Sequence, residues 1–157
     1  MDQNIWEYDD FIFKGDELKG MTAKGKDKVK AGGQTDLVIP AVTPDGLPLK
    51  KIADNAFYRR GLTSVVIPDT VESIGYDAFG VCKLKEVKLP EALVNIEGFA
   101  FYRNKLTKVE FGSKVKRIEP SAFAMNELAE ITLPETLEYI GASAFYKNAF
   151  ETITFPK

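Results

Sequence analysis

A repeat with a fixed period of 22 residues restricts what this chain can fold into more than any other feature. Four columns of apolar side chains keep that interval: Leu62, Leu84, Leu106, Leu128 and Phe150; Val65, Val87, Val109, Ile131 and Ile153; Ile67, Leu89, Phe111, Leu133 and Phe155; Ile52, Ile74, Ile96, Ile118 and Ile140. Periods of about 20 to 50 residues are typical of repeat architectures. One unit of this length cannot bury its own apolar residues, so each unit must cover its neighbour. The sequence therefore predicts an α/β repeat solenoid, wound right-handed.

The consensus unit, LxxVxIPxxVxxIxxxAFxxN, predicts two strands and a turn. Val65 and Ile67 alternate with exposed positions and Pro68 ends the first strand, while 71–74 predicts a second. An Ala-Phe pair then recurs at Ala56/Phe57, Ala78/Phe79, Ala100/Phe101, Ala122/Phe123 and Ala144/Phe145. Polar residues precede most pairs, at Asn55, Asp77, Ser121 and Ser143, and Phe99 is the exception. Because such side chains cap helix starts, we predict one short helical turn at each pair.

The first 34 residues lack the repeat. Residues 11–21 predict a β-hairpin with its turn at 14–17 around Gly15, whereas the polar stretch 24–33 (KGKDKVKAGG) predicts a loop. We therefore divide the chain into 1–34, an N-terminal β-hairpin cap and linker, and 35–157, a solenoid of about five repeats plus a partial last one. An earlier, longer copy begins at Leu37, and its extra residues in 41–48 (AVTPDGLP) predict a surface bulge rich in turns.

Composition argues against catalysis. The chain has no histidine and one cysteine, Cys82, which excludes imidazole bases, imidazole metal sites, CxxC motifs and internal disulfides. It also lacks phosphate-binding glycine motifs. We therefore expect no catalytic residues, no cofactor and no metal. A net charge of −2 gives no support for binding to nucleic acid or to an anionic membrane surface.

The repeats resemble the BspA-like leucine-rich repeat family of bacterial surface proteins, whose units read LxxIxIPxxVxxIGxxAFxxC. The resemblance covers 35–157, and residues 6–25 (WEYDDFIFKGDELKGMTAKG) resemble the hairpin that precedes such arrays. It implies a curved leucine-rich-repeat horseshoe in extracellular proteins assigned to adhesion and host interaction, and no enzyme. In this family a Cys or Asn at a turn satisfies backbone groups, which implies a structural role for the column Arg60, Cys82, Asn104, Asn126 and Asn148. A reactive Cys82 thiol is the alternative.

Solvent-facing strand positions carry alternating charges. Glu86, Lys108 and Glu130 share one column, and Lys88 and Glu110 share the next. We expect cross-strand ion pairs of about 0.2–1 kcal/mol each, and no tight interface on this face, because it lacks aromatic anchors.

Aromatic residues beside cations are the best candidates for partner binding. Tyr58, Tyr102 and Tyr146 follow the Ala-Phe pairs, and each is followed by a cation: Arg59, Arg103 and Lys147. Phe99 and Tyr76 lie in adjacent columns. Tyr and Arg are enriched at binding hot spots, so these residues predict a ridge for a protein partner. The alternative is that the rings only cover the edge of the solenoid.

Two functions remain open. One is a non-catalytic protein–protein interaction module of a bacterial adhesin-like surface protein, with a host or matrix protein as partner. The other is a structural spacer or self-assembly element, because the last unit stops at Pro156 and Lys157 without a polar cap and exposes Phe150, Ile153 and Phe155. We prefer truncation of a longer chain as the reason.

The predicted location depends on the native start of the chain. Residues 1–10 do not form a signal peptide. We expect an extracellular or cell-surface location if a longer precursor supplies that signal, and a cytoplasmic one if Met1 is the native start. No apolar run approaches the ~20 residues of a membrane span, so no membrane insertion is expected.

Overall fold

The computed structural model describes residues 5–30 and 33–156. Short strands and turns form most of it, with one 3₁₀ helix, Tyr8–Asp10, and one α-helix, α1 (Ala23–Lys30), within the described ranges. The strands are β1 (Phe11–Lys14), β2 (Glu17–Met21), β3 (Asp36–Val38), β4 (Lys51–Ile52), β5 (Ser64–Val66), β6 (Ser73–Ile74), β7 (Glu86–Lys88), β8 (Asn95–Ile96), β9 (Lys108–Glu110), β10 (Arg117–Ile118) and β11 (Tyr139–Ile140).

The second, shorter strand of each unit contributes to one seven-stranded sheet of order β1-β2-β4-β6-β8-β10-β11. Strands β4, β6, β8, β10 and β11 are parallel and in register, so that Lys51, Ser73, Asn95, Arg117 and Tyr139 lie side by side. At one edge β1 and β2 form the predicted antiparallel hairpin, and β2 pairs with β4 in parallel. The hairpin thus extends the sheet of the repeats.

The first strand of each unit pairs less continuously. Strands β3 and β5 form one two-stranded sheet, β7 and β9 form another, and Thr132 bridges Thr154. The central residues of these four strands are buried and their neighbours are exposed, which confirms the predicted alternation. The expected cross-strand ion pairs are wrong for the described residues, because Lys108 Nζ instead contacts Glu110 of its own strand at 3.4 Å.

The Ala-Phe segments are turns, and the predicted helical turns are wrong. Asn55 and Arg59 both have left-handed backbone, with φ of 59° and 58°, and the equivalent residues of later units repeat this pattern. An α-helix requires negative φ throughout. Backbone N–H groups of Asn55, Phe57 and Arg59 instead donate to carbonyls of the next unit at 2.8, 2.8 and 3.0 Å. The turns therefore form a further hydrogen-bond ladder, and the solenoid units consist of strands and turns in the described part of the chain.

Phenylalanine rings fill the centre of the stack. Rings of consecutive units lie parallel at centroid distances of 5.3, 5.4, 5.3 and 5.6 Å, in the order Phe57, Phe79, Phe101, Phe123 and Phe145. The first four have no exposed surface. Leu and Ile columns surround them in one continuous core, which confirms that the units stack.

Helix α1 replaces the loop predicted at 24–33. Thr22 Oγ1 accepts a hydrogen bond from the N–H of Gly25 at 3.3 Å, as an N-cap residue does, and a Cβ at Gly25 would lie 2.2 Å from the carbonyl oxygen of Asp10. Lys28 of α1 pairs with the buried Asp10 carboxylate. Tertiary contacts thus stabilise a helix that composition alone disfavours. Ala31 and Gly32 of the predicted loop lie outside the described residues, as do 1–4 and Lys157.

The insertion at 41–48 is a surface turn, as predicted. Val42 and Pro48 form an isolated antiparallel bridge, and the N–H of Thr43 donates to the Leu47 carbonyl at 2.8 Å. Gly46 provides the left-handed residue, with φ of 83°. Only Thr43 of this segment is buried.

Candidate functional site: an aromatic surface on the repeat turns

A column of asparagines, buried at Asn104 and Asn126 and half-buried at Asn148, holds the turns in place. Asn126 Nδ2 donates to the carbonyls of Phe101 and Phe123 at 2.9 and 3.0 Å, and its Oδ1 accepts the Leu106 N–H at 3.1 Å. Asn104 and Asn148 repeat this arrangement. Each amide joins three backbone groups from two or more units. The turn surface outside them is therefore supported by a rigid backbone.

Cys82 occupies the same column and has the structural role implied by the family resemblance. Its Sγ donates to the Phe57 carbonyl at 3.3 Å. The side chain is buried, and that burial raises the pKa of the thiol above its ordinary value. Because the thiolate is the nucleophile, a buried and protonated Cys82 is not a reactive thiol.

Three of the predicted surface aromatics form one cluster. The ring of Phe99 lies 5.4 Å from that of Tyr76 and 5.0 Å from that of Tyr102, measured between centroids. Tyr76 is 46% exposed, whereas Phe99 and Tyr102 are half-buried. We call Tyr76, Phe99 and Tyr102 the aromatic cluster. Gly98 lies beside this cluster, and a Cβ there would meet the Tyr76 ring at an ordinary contact distance of 3.4 Å.

Four of the remaining predicted residues form two separate pairs on the same turns, and Arg103 is exposed next to Tyr102 in the chain. Arg59 Nε donates to the Tyr58 hydroxyl at 3.0 Å, and its guanidinium lies 5.4 Å from the Tyr58 ring centroid. Lys147 Nζ lies 5.7 Å from the ring centroid of Tyr146. Among the described residues, neither Tyr58 nor Tyr146 has a ring contact with the aromatic cluster. The predicted ridge is therefore one cluster flanked by two cation–π pairs.

Phe99 has a strained backbone. Its φ is 58°, and the equivalent positions of the other units carry Asn55, Asp77, Ser121 and Ser143. Left-handed backbone is unusual for any bulky residue and costs of order 1–3 kcal/mol. Polar Asn and Asp adopt it more readily. At Phe99 a large ring is thus held on the surface at the expense of backbone stability.

Charged groups border the cluster on the side of the short strands. Burial raises the pKa of Glu97, and the nearby charges of Glu119 and Asp54 raise it further. Arg117 Nε donates to Glu119 at 2.7 Å, and its guanidinium lies 4.1 Å from the Tyr139 ring centroid. Sequence reasoning missed this group, although the 22-residue register that places Arg117 beside Tyr139 was visible in the sequence.

One group of carboxylates in the described ranges has metal-ligand spacing. Oxygens of Glu7, Asp9 and Asp10 lie within 4.8 Å of one another. Lys24 contacts Glu7 and Asp9, and Lys28 contacts Asp10. Three carboxylates and two ammonium groups leave a formal charge of −1 here, and each carboxylate already has an ammonium partner.

Comparison with known proteins defines the class. The stacked strands and turns are those of a leucine-rich repeat protein, and the family model for the BspA type leucine rich repeat region matches residues 50–157 in six copies. The chain belongs to this family. No curated protein matches the chain.

Two solved structures, TpLRR and PcpA, show the same fold. The leucine-rich repeat protein of T. pallidum, TpLRR, is 27% identical with a TM-score of 0.80, over 94% of this chain and 69% of that one. The pneumococcal vaccine antigen PcpA is 20% identical with a TM-score of 0.66, over 90% of this chain and 46% of its own, and shows the fold alone. A leucine rich cell surface protein of Faecalibacterium prausnitzii A2-165 is 25% identical with a TM-score of 0.46, over 92% and 52%. No helix in the described part of this chain has the length and apolar character needed to cross a membrane.

Proposed function

We propose that this protein is a non-catalytic protein–protein interaction module and that the aromatic cluster is its binding surface. Phe99 carries the proposal: its phenyl ring, on a left-handed backbone, has a tilted contact with Tyr76 and an edge contact with Tyr102, destabilises the turn and leaves apolar surface accessible. Backbone strain of this kind is concentrated at functional sites. Leucine-rich repeat domains generally mediate protein–protein interaction.

The flanking residues favour a protein partner over a small molecule. Arg59, Arg103 and Lys147 are exposed beside the tyrosines, and the N–H groups of Arg59 and Arg103 are fixed in the turn ladder at 3.0 Å. Tyr and Arg are enriched at protein-binding hot spots, and a backbone that is hydrogen-bonded before binding loses little further conformational entropy. The eight residues Tyr58, Arg59, Tyr76, Phe99, Tyr102, Arg103, Tyr146 and Lys147 form the proposed contact surface.

The proposed setting is the bacterial cell surface. The family resemblance supports an adhesin-like role with a host or matrix protein as partner. In this proposal residues 1–34 cap a right-handed horseshoe of 22-residue units formed by 35–157. The hairpin that continues the sheet of the repeats supports that division.

A matched pair of variants tests the binding surface. Wild-type protein is passed over immobilised fibronectin, laminin and type I collagen, and binding is measured by surface plasmon resonance. We expect at least one to bind, and the combined change Tyr76→Ser, Phe99→Asn and Tyr102→Ser to weaken binding at least tenfold. Val66→Ser is the control, because Val66 is 59% exposed on strand β5, which is a first strand of its unit and not part of the turn surface. Equal binding by the triple variant, or no binding by wild type, would reject the proposal.

Self-assembly is the second candidate, and one observation favours it. Phe155 is 58% exposed at the end of the described stack, beside the half-buried Phe150 and Ile153. We propose that this apolar surface supports end-to-end association. Sedimentation velocity should show concentration-dependent association that Phe155→Glu abolishes, and a wild-type monomer at all concentrations would exclude it.

A further inference from the structure

The N-terminal end contains a pocket, far in sequence from the aromatic cluster. It has a volume of about 460 Å³ and is lined by Trp6, Glu7, Tyr8, Phe11, Val38 and Pro40. The lining thus contains three aromatic residues and one acidic residue. Pockets of roughly 300–1,000 Å³ are the usual range for small ligands.

The aromatic walls are held in fixed positions by the rest of the protein. Trp6 Nε1 donates to the Asp36 carbonyl at 2.8 Å, and the Tyr8 hydroxyl donates to the Val42 carbonyl at 3.0 Å. The Trp6 and Phe11 ring centroids lie 5.7 Å apart. Because these contacts order the rings before any ligand arrives, binding would not have to pay that entropy.

The hydrogen bonds also determine what the pocket can recognise. The side-chain donors of Trp6 and Tyr8 are both used within the protein, and Phe11, Val38 and Pro40 have none to offer. The remaining polar side chain in the lining, Glu7, is an acceptor when ionised. A complementary ligand therefore supplies donors and positive charge rather than acceptors.

Two lysines of helix α1 already contact residues of this lining. Lys28 Nζ lies 5.6 Å from the Trp6 ring centroid, and Lys24 contacts Glu7 and Asp9. Ammonium groups are attracted to the faces of aromatic rings, most strongly to Trp. Lys24 also competes for the Glu7 carboxylate, so its removal should increase the attraction for an external cation.

We propose that this N-terminal pocket binds a lysine side chain of a basic partner segment, with the rings contacting the alkyl chain and ammonium group and Glu7 accepting a hydrogen bond from it. The site is distinct from the aromatic cluster, and neither proposal requires the other.

Trp6 is the only tryptophan of the chain, so its fluorescence and its indole N–H resonance report on this pocket alone. The probe is the pentapeptide acetyl-Gly-Gly-Lys-Gly-Gly-amide, and the matched neutral probe replaces Lys with norleucine. We expect saturable changes in both Trp6 signals with the lysine peptide, and binding about tenfold weaker with the norleucine peptide. Equal binding of the two peptides, or no saturable change with either, would overturn the proposal.

Three variants test what Glu7, Lys24 and Tyr8 each contribute to binding of the lysine peptide. Glu7→Gln should weaken binding of the lysine peptide, and Lys24→Gln should strengthen it. Tyr8→Leu keeps an apolar wall without the ring and should weaken binding about two- to fivefold, the scale of one cation–π contact. Tyr146→Leu is the same substitution at a distant exposed tyrosine and should change nothing.

Further controls test whether misfolding or the aromatic cluster accounts for a loss of peptide binding. The circular dichroism spectrum of Tyr8→Leu should match that of wild type. If it does not, Lys24→Gln provides the test, because this variant leaves the aromatic wall intact. Weaker binding of the lysine peptide by Lys24→Gln would contradict the proposal. The triple variant of the aromatic cluster should bind the lysine peptide as wild type does. Loss of peptide binding there would show that the pocket is not an independent site.

Discussion

Two consecutive repeats with the same motif differ in how deeply they are buried. In the inner unit, residues 106–127, Ile118 and Phe123 have no exposed surface, whereas their equivalents in the outer unit, residues 128–149, are Ile140 and Phe145, which are half-buried. The inner unit is covered by a complete unit on each side, and the outer unit is followed only by 150–156 among the described residues. Burial in a stack thus depends on neighbours rather than on the motif itself.

The largest expected effect is on the phenylalanine stack. Phe123 contacts Phe101, Phe145 and Phe111, with ring centroids 5.3–5.9 Å away. Phe123→Ala should lower the free energy of unfolding by about 3–5 kcal/mol, because it leaves a cavity that cannot collapse. Phe145→Ala should cost clearly less. Urea unfolding of both variants measures the difference, and equal losses would mean that neighbours do not determine burial energetics here.

The asparagine column should show the same gradient with a smaller effect. Asn126→Ala leaves the carbonyls of Phe101 and Phe123 and the Leu106 N–H without this partner, so we expect a loss of about 2–3 kcal/mol. Asn148→Ala, in the outer unit, should cost about 1 kcal/mol, because water reaches the freed groups. Thermal or urea unfolding compares the two. A larger loss at the outer position would contradict the gradient.

Cys82→Asn should stabilise the protein by about 1 kcal/mol. The thiol donates one weak hydrogen bond to Phe57, whereas an amide in this column donates to two phenylalanine carbonyls and accepts a leucine N–H. Cys82→Ala is the control, since it removes the thiol without adding an amide. If Cys82→Asn unfolds at lower urea concentration than Cys82→Ala, the column does not accept an asparagine at this level.

Relief of backbone strain should give a gain of up to about 1 kcal/mol. Val81 is β-branched and has φ of 52°, a conformation that Asn tolerates better. Val81→Asn should therefore raise the urea midpoint, and Val87→Asn, at a buried strand position with ordinary backbone, should lower it. A decrease for Val81→Asn would show that its side-chain packing outweighs the strain.

The smallest effect is a dependence of stability on pH. Burial raises the pKa of Asp77 above 3.8, and burial with nearby negative charge raises that of Glu97 above 4.5, so the folded state holds these protons more tightly. Their contribution is complete below the ordinary values and is lost as pH rises through the raised ones. As the pH rises from 3 to 7, the free energy of unfolding of the double variant Asp77→Asn, Glu97→Gln should fall less than that of wild type. Parallel pH profiles would contradict this assignment.

The turn segments show how far the sequence could be interpreted. The 22-residue columns identified which side chains are buried together, and the Phe57, Phe79, Phe101, Phe123 and Phe145 rings are stacked as that register requires. The helical turns were wrong because local capping signals compete with hydrogen bonds to the next unit. Those bonds alternate along the turn and hold a left-handed residue at each end. No pattern within one unit contains that information.

The candidate sites also combine features that the sequence determines with features that only the tertiary structure decides. The sequence by itself determined that identical positions stack, because a unit too short to bury its apolar side chains must cover its neighbour. Only the tertiary structure decided that Phe99 lies between Tyr76 and Tyr102, and that Trp6 and Tyr8 line a pocket with Pro40. These contacts depend on backbone angles and on hydrogen bonds such as Trp6 to Asp36, which join residues 30 positions apart and follow no period.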